Sequence, residues 1–182
     1  FLAAHAEKTT WTYYNMEKFG WHKKEVGISL GILGAMVAFV QGVLIKKIIP
    51  ALGQAKSIYT GLLIYSVGML LFGLATQGWM MYAITIFYCL GGVAGPAIQG
   101  IMSSQVSPTE QGELQGTLNS LISITTICGP LMMTNLFSWF TSKAAPVRFP
   151  GAPFIAGAIL LLLSAWLAYR YLHSQKVHIL KH

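Results

Sequence analysis

Charged residues are what this sequence has least of. Only 9% of its 182 residues are Asp, Glu, Lys or Arg, whereas a soluble domain carries roughly a quarter. Aspartate is absent, and all five acidic residues are glutamates. Because 54% of the residues are hydrophobic, the shortage of charge excludes an ordinary water-soluble fold.

Other absences narrow the function. The two cysteines, Cys89 and Cys128, lie in apolar stretches without metal-ligand spacing, so we expect neither a disulfide framework nor a metal site. The sequence has no nucleophile elbow, no His-Glu-x-x-His pair and no phosphate-binding glycine loop. We therefore expect no enzyme activity and no cofactor. The net charge of +7 comes from scattered residues, which favours anchoring to lipid headgroups over nucleic-acid binding.

The uncharged stretches of the chain are long. A helix that spans the hydrocarbon core of a membrane needs roughly 20 consecutive apolar residues. Four stretches without charge reach that length, at residues 26–45, 57–109, 114–142 and 149–169. The second has room for two helices, and a polar turn at 76–79 divides it. The pattern predicts an all-α, polytopic transmembrane helix bundle with five complete spans.

We expect a single bundle over residues 1–172, followed by a polar tail over 173–182. Residues 1–18 carry several charges and are interpreted as the end of a helix that starts upstream. The segment 46–56 is predicted to be a connector, because Pro50 and Gly53 interrupt helices. The predicted helices cover about 1–18, 26–45, 58–76, 79–103, 113–140 and 151–172.

Two Gly-Pro pairs lie within predicted spans, at Gly95-Pro96 and at Gly129-Pro130. Proline removes a hydrogen bond from a helix and permits a kink, and small residues let helix backbones approach closely in lipid. Both pairs are therefore candidates for kinks and close packing. The alternative is that Gly and Pro are simply more frequent in membrane helices.

Glu7 is the leading candidate for proton coupling. An ionisable group within a membrane span costs about 2.5 to 3.5 kcal/mol on insertion scales, which makes it a functional hypothesis. Helical spacing predicts a shared face for Glu7, Thr10, Trp11, Tyr14 and Lys18. On that face Trp11 and Tyr14 are candidates to line a cavity for a flat amphipathic substrate. The alternative is that Glu7 is solvated at a helix end.

His5 is a second candidate for proton coupling, because histidine changes its charge near neutral pH. The alternative is a structural, hydrogen-bonded histidine. Uncharged polar residues of the other spans are candidates for the same substrate cavity, namely Gln41, Tyr65, Gln99 and Asn119. Hydrogen bonds between helices are the competing explanation for these residues, at about 0.6 kcal/mol each.

Six features form a specific combination. They are Trp11, EKFGW at 17–21, VGISL at 26–30, GGVAGPA at 91–97, QGELQG at 111–116 and GPL at 129–131. Together they resemble the second half of a major facilitator superfamily transporter, in the tetracycline-resistance-like group of proton-coupled drug antiporters. The resemblance extends over essentially the whole chain.

The resemblance implies a six-helix half, corresponding to spans seven to twelve of a multi-pass protein of the bacterial cytoplasmic (inner) membrane. It implies export of a small organic compound or drug in exchange for protons, by alternating access around a site between two halves. The expected partners are membrane lipid, the substrate, protons and the N-terminal six-helix half. The alternatives are a non-transporting membrane scaffold and an inactive transporter fragment.

The resemblance also implies a cytoplasmic gate at the loops 46–56 and 107–112. The residues that match the group's cytoplasmic loop motif, or lie near it, are Gly42, Lys46, Lys47, Gly53, Lys56, Glu110, Glu113 and Gln115. Two positions depart from the tetracycline pumps, whose eighth span carries a His and whose ninth carries an acid. This sequence has Val37 and Tyr65 there, which argues against tetracycline as the substrate and leaves coupling to Glu7 or to the other half.

Overall fold

The computed structural model describes residues 2–142 and 145–179, without the side chains of residues 6 and 173–179. Within these residues the chain forms helices and turns and no strand, so the predicted all-α fold is confirmed. The helices are α1 (Ala4–Phe19), α2 (Lys23–Leu52), α3 (Gln54–Leu74), α4 (Gly78–Ser104), α5 (Gln111–Thr141) and α6 (Ala152–Ile179).

Five of the described helices, α2 to α6, are long and apolar enough to cross a membrane, and α6 does so over Ala152–Leu172. The predicted polytopic transmembrane bundle is therefore confirmed. Helix α1 has 16 residues, which corresponds to about 24 Å and is shorter than a hydrocarbon core of about 30 Å.

The predicted connector at 46–56 is wrong in its extent. Helix α2 continues through Lys46, Lys47 and Pro50 to Leu52. The two lysines mark the end of the apolar segment of α2. The helix itself continues beyond them, because backbone hydrogen bonds do not require contact with lipid. Pro50 lies in the last turn of α2, where it removes the one hydrogen bond that its backbone N–H would have donated, and the helix still continues to Leu52. The chain turns at Gly53, whose φ of 78° suits a residue without a side chain.

The predicted polar tail is also partly wrong. The backbone of α6 remains helical to Ile179, so most of the segment 173–182 extends the last helix instead of forming a separate tail. The end of that prediction, residues 180–182, lies outside the described residues. As at the end of α2, polar residues continue a helix after its apolar segment stops.

The helices pack around α3. Helix α3 lies against α6 and α4, α1 lies against α5 and α6, and α2 lies against α4. The main core is aromatic, with the ring centroids of Trp11 and Phe72 5.1 Å apart and those of Tyr14 and Phe154 4.7 Å apart. Helices α3 and α4 approach closely at Gly61, where an added Cβ would lie 2.9 Å from the Gly91 carbonyl oxygen.

Two helices carry an irregular turn at the same level. Helix α2 widens into a π-helical turn at Val40–Leu44, and α4 tightens into a 3-10 turn at Leu90–Val93. The two turns are in contact, and the fully buried Val40 lies beside Gly92. The turn in α4 comes just before Pro96, whereas α5 stays helical through Pro130.

Helices α2 and α5 have large faces that no other described helix covers. Only 11% of the most apolar segment of each is buried, against 50% for α3 and for α4. The uncovered face of α5 bears both polar and apolar side chains. Lipid offers no hydrogen-bond partners to the polar side chains of such a face.

Candidate functional site

The connections α2–α3 and α4–α5 lie at one end of the bundle, because successive packed helices run in opposite directions. At this end the side-chain amide of Gln54, at the start of α3, packs against Gly100 of α4. The other end contains the connections α1–α2, α3–α4 and α5–α6. An ion pair there joins Arg148 of the α5–α6 connection to Glu17 of α1.

Glu7 is buried in the bundle, with 7% of its surface exposed. Thr10, Trp11 and Tyr14 are buried as well, at 1%, 4% and 0% exposure, so four of the five residues expected to share a face lie on the buried side of α1. Lys8 is exposed on another side. The alternative hypothesis, that Glu7 is solvated at a helix end, is therefore wrong for this structure.

The surroundings of Glu7 are suited to a proton. Tyr65 of α3, together with Tyr88 and Cys89 of α4, lies within electrostatic range of the Glu7 carboxyl group. The rings of Tyr65 and Tyr88 are 4.5 Å apart. Among the described side chains the one ion pair lies elsewhere, so no cation is paired with Glu7. The exposed Lys8 acts on Glu7 at longer range without forming an ion pair, and burial of a carboxyl group favours its protonated, uncharged form.

His5 lies at the contact between α1 and α5. A Cβ added to Gly129 would be 2.5 Å from Cδ2 of the imidazole ring, so the ring occupies the space that a side chain at this position would fill. Gly129 precedes Pro130 in the same helix. The structure thus brings together His5, predicted as a proton-coupling residue, and Gly129-Pro130, predicted as a site of kinking or close packing.

Trp11 and Tyr14 do not lie on an open cavity wall in this structure. The indole nitrogen of Trp11 donates a hydrogen bond of 2.9 Å to Oγ of Ser29 in α2. The hydroxyl group of Tyr14 donates a hydrogen bond of 2.5 Å to the carbonyl oxygen of Phe72 in α3. Both rings therefore connect α1 to its neighbours, which corrects the expectation that they are free to stack on a substrate.

The other candidates for the substrate cavity divide into two groups. Gln41 of α2, Gln99 of α4 and Asn119 of α5 are exposed on the surface of the bundle, whereas Tyr65 is half-buried beside Glu7. The three amides are on three different helices. They are available to a ligand that contacts the uncovered surface.

Sequence reasoning missed a stripe of hydroxyl groups on α5. Ser120, Ser123 and Thr126 each donate a hydrogen bond of 2.8 to 2.9 Å to the backbone carbonyl oxygen four residues earlier. All three are exposed, as is Asn119 beside them. Helical spacing places Asn119, Ser123 and Thr126 on one side. That spacing was the available signal, and it was overlooked because Ser and Thr carry no charge.

Sequence reasoning also missed the role of Lys18. Its amino group donates a hydrogen bond of 2.8 Å to the hydroxyl oxygen of Tyr14 and one of 3.3 Å to the carbonyl oxygen of Gly73. A cation at this position interacts favourably with the carboxyl end of α3. Lys18 was assigned to the right face, but no pattern in the sequence shows that the end of α3 meets that face.

The predicted gate residues lie at the α2–α3 end. Lys46, Lys47, Lys56, Glu110 and Glu113 are all exposed. Among the described side chains, none of these lysines reaches a carboxylate. The charges of the expected gate therefore form no ion pair with one another in this conformation.

The remaining gate candidates have individual roles. Glu110 accepts hydrogen bonds from the hydroxyl group and the backbone N–H of Ser107, at 2.8 and 3.1 Å, and both lower the pKa of its carboxyl group. Gly42 lies in the π-helical turn of α2, and Gly53 lies in the connection that follows the end of α2. Gln115 is half-buried on α5.

No group of three or more His, Cys, Asp or Glu side chains in the described part of the chain is arranged to hold a metal ion. What the site offers is a buried acid, exposed amides and a stripe of hydroxyl groups. A carboxyl group can bind and release a proton, and amides and hydroxyl groups form hydrogen bonds.

A family model and individual relatives identify the same family of proteins. The family model of the Major Facilitator Superfamily matches residues 1–179. Among curated relatives, the class G tetracycline resistance protein of Vibrio anguillarum is 37% identical over 153 residues, which are 84% of this chain and 38% of that protein. The class E protein of Escherichia coli is 34% identical over 169 residues, 93% of this chain and 40% of that protein.

A third relative, the class C tetracycline resistance protein of Escherichia coli, is 32% identical over 162 residues, which are 89% of this chain and 40% of that protein. The chain thus spans about two fifths of the length of these relatives. No solved structure matches the chain.

Proposed function

This chain belongs to the Major Facilitator Superfamily, and from that premise we propose that it forms the C-terminal six-helix half of a secondary transporter. The complete transporter exports a small organic compound or drug across the bacterial cytoplasmic membrane in exchange for protons. The relatives that carry the words "tetracycline resistance" in their names support drug export. The family also consists of transporters, which agrees with the expectation that the chain is not an enzyme.

The observation that carries this proposal is the burial of Glu7. A carboxyl group that is 7% exposed and paired with no cation among the described side chains changes its proton occupancy when its access to water changes. Alternating access changes the exposure of a midplane site to water. Glu7 would then bind a proton from one side and release it to the other.

The position of Tyr65 supports the same assignment. Tyr65 stands where the resemblance places an acid in the ninth span of tetracycline pumps, and it lies within electrostatic range of Glu7. The acid of this chain would thus act from α1, close to the place where the resembled pumps have theirs on the equivalent of α3. The substrate of this chain would differ from tetracycline, in line with the changes at Val37 and Tyr65.

The N-terminal half is the proposed partner. The uncovered faces of α2 and α5 include Gln41 and Asn119, and a second six-helix half would enclose them in a path for the substrate. The α2–α3 end would face the cytoplasm, where Lys46, Lys47 and Lys56 are available to pair with acidic groups when the gate closes.

The test uses the complete gene product that contains this chain, in everted membrane vesicles with an imposed pH gradient. Exchanging Glu7→Gln keeps the size of the side chain and removes its titration. Proton-driven export should fall to the level of vesicles without the protein. Glu17→Gln is the matched control, because Glu17 is an exposed glutamate of the same helix. If the Glu7 variant is correctly inserted and exports as fast as the original, Glu7 is not the coupling residue.

A further inference from the structure

Helices α3 and α6 form a groove on the outside of the bundle, here called the α3–α6 groove. Helix α3 begins and helix α6 ends at the α2–α3 end of the bundle, and the two helices pack against each other. Near this end the rings of Tyr59 on α3 and Tyr169 on α6 meet edge to face, with their centroids 5.7 Å apart. The tyrosine pair therefore shows which residues of the two helices lie at the same level.

Each side of the groove carries one exposed basic residue next to the tyrosine pair. Lys56 precedes Tyr59 by one turn on the same side of α3, and Arg170 directly follows Tyr169 on α6. The helical rise places Lys56 about 4.5 Å and Arg170 about 1.5 Å beyond the tyrosines, toward the end of the bundle. The Cζ atom of Arg170 lies 5.1 Å from the centroid of the Trp166 ring, and this cation–π contact orders the guanidinium group. The two cations thus lie at nearly the same level.

The positive charge of the groove is not neutralised by the protein. The sequences of α3 and α6 contain no Asp or Glu. Among the described side chains, the one ion pair joins Arg148 to Glu17 at the opposite end of the bundle, so neither Lys56 nor Arg170 is paired with a carboxylate. The planar guanidinium group of arginine can donate two parallel hydrogen bonds to a phosphate, and lysine adds a point charge. The groove therefore complements an anion, and a phosphate group in particular.

The rest of the groove is apolar. Toward the middle of the bundle its two sides bear aliphatic side chains that are 43% to 53% exposed, namely Leu63 and Val67 on α3 and Ile159 and Leu162 on α6. Helical spacing places Leu63 one turn after Tyr59, and Leu162 one turn before Trp166. Both helices are long and apolar enough to cross a membrane, so such side chains are available to acyl chains. A basic end followed by an apolar channel matches the order of headgroup and acyl chain in a phospholipid.

From this arrangement we infer that the α3–α6 groove is a binding site for one anionic phospholipid, whose phosphate lies between Lys56 and Arg170 and whose acyl chain runs along Leu63 and Leu162. Basic sites between transmembrane helices recognise anionic lipid headgroups in this way. The charge of the groove favours an anionic lipid over a zwitterionic one, and its apolar part favours a lipid over a free phosphate ion. The inference goes beyond the proposed function, because lipid binding at this groove does not require transport.

The test measures lipid binding to the purified complete gene product in neutral detergent micelles, by native mass spectrometry. The probes are phosphatidylglycerol, which is anionic, and phosphatidylcholine, which is zwitterionic. The original protein should bind phosphatidylglycerol more tightly. Lys56→Gln combined with Arg170→Gln should raise the Kd of phosphatidylglycerol by roughly 10- to 30-fold, because each basic residue near a membrane surface contributes about 5-fold. The Kd of phosphatidylcholine should not change.

The matched control is Lys46→Gln combined with Lys47→Gln. It removes two exposed lysines at the same end of the bundle, but from α2, and it should leave the Kd of phosphatidylglycerol nearly unchanged. An equal loss of affinity in the two double variants would mean that net charge attracts the lipid and that the groove is not a site. An unchanged Kd in the groove variant would overturn the inference, and so would displacement of the lipid by inorganic phosphate.

Melting curves of the same preparations provide a second measurement. A ligand that binds only the folded state raises the melting temperature, so phosphatidylglycerol should stabilise the original protein and the α2 control, and it should not stabilise the groove variant. Melting without lipid shows whether the groove variant is folded. If it is not, Lys56→Gln and Arg170→Gln are measured singly, and each should raise the Kd by about 5-fold. Equal stabilisation of all variants by phosphatidylglycerol would contradict a specific site in the groove.

Discussion

At the scale of single residues, Gly129 determines how closely α1 and α5 approach. The ring of His5 occupies the position where a side chain would be, with Cδ2 2.5 Å from an added Cβ. A methyl group placed there has to displace the ring or separate the two helices. Alanine is otherwise a better helix former than glycine by about 1 kcal/mol, so any loss of stability at this position reports the clash.

We expect Gly129→Ala to lower the free energy of unfolding by roughly 1 to 3 kcal/mol, the usual cost of overpacking. Thermal unfolding of the complete gene product in detergent measures this change. His5→Ala in the same chain should recover part of the stability, because it removes the ring but leaves Cβ of residue 5 at 2.9 Å from the added Cβ. Gly95→Ala is the matched control, since Gly95 also precedes a proline and an added Cβ there meets nothing within 4 Å. A Gly129→Ala variant as stable as the Gly95→Ala variant would contradict this account of the contact.

The residue scale also shows how far the sequence allowed prediction of the site. A helical period of 3.6 residues correctly placed Glu7, Trp11 and Tyr14 on one side of α1. The period does not reveal what that side packs against, so the rings of Trp11 and Tyr14 were expected in a cavity although they lie in the aromatic core. Their hydrogen bonds to Ser29 and Phe72 join residues far apart in sequence, and a local pattern contains no such information.

At the scale of the helix, absence of charge predicted which segments cross the membrane, and it predicted their ends less well. Lys46 was taken as the end of α2, but the helix extends to Leu52. Helix α6 also extends beyond its apolar segment. Hydropathy indicates only which residues contact lipid, whereas backbone hydrogen bonds can continue a helix beyond the lipid. The π-helical turn of α2 was not predicted either, since no residue type specifies an extra residue in a turn.

The π-helical turn at Val40–Leu44 provides a prediction about register. A π-helical turn holds one residue more than the α-helical turn that it replaces. Deleting Gly42 should therefore restore a regular α-helix, and the residues after it should keep the same side of the helix toward α4. Deleting Gly34 from the regular part of α2 should instead rotate everything after it by about 100°. That rotation would turn the buried Val40 away from α4.

We therefore expect the chain without Gly42 to keep a thermal unfolding transition near that of the original, and the chain without Gly34 to lose it. Yield after size-exclusion chromatography in detergent and the melting curve of each deletion variant measure the difference. Equal damage from the two deletions would show that the extra residue in α2 is not accommodated by the π-helical turn.

At the scale of the whole molecule, the uncovered face of α2 is the surface on which the proposed N-terminal half would pack. The glycines of this face are spaced three to eight residues apart, and an added Cβ meets nothing within 4 Å at Gly27, Gly31, Gly34 or Gly42. Small residues at such intervals let a second helix approach closely in lipid. If the chain is one half of a transporter as proposed, a helix of the other half is the expected neighbour.

Gly31→Leu separates assembly from folding. A leucine side chain at this position would point into open space, so the free energy of unfolding of the six-helix half should change by less than about 0.5 kcal/mol. The association of this half with a separately expressed N-terminal half should be lost, and export should be lost with it. Gly61→Ala is the opposite case, because its Cβ would lie 2.8 Å from Cβ of Ala94 within the same half, and it should lower the melting temperature. Co-purification of the two halves and melting curves of this half distinguish the outcomes. If the Gly31→Leu half still co-purifies with its partner and supports export, the glycine face of α2 is exposed to lipid and the two halves meet elsewhere.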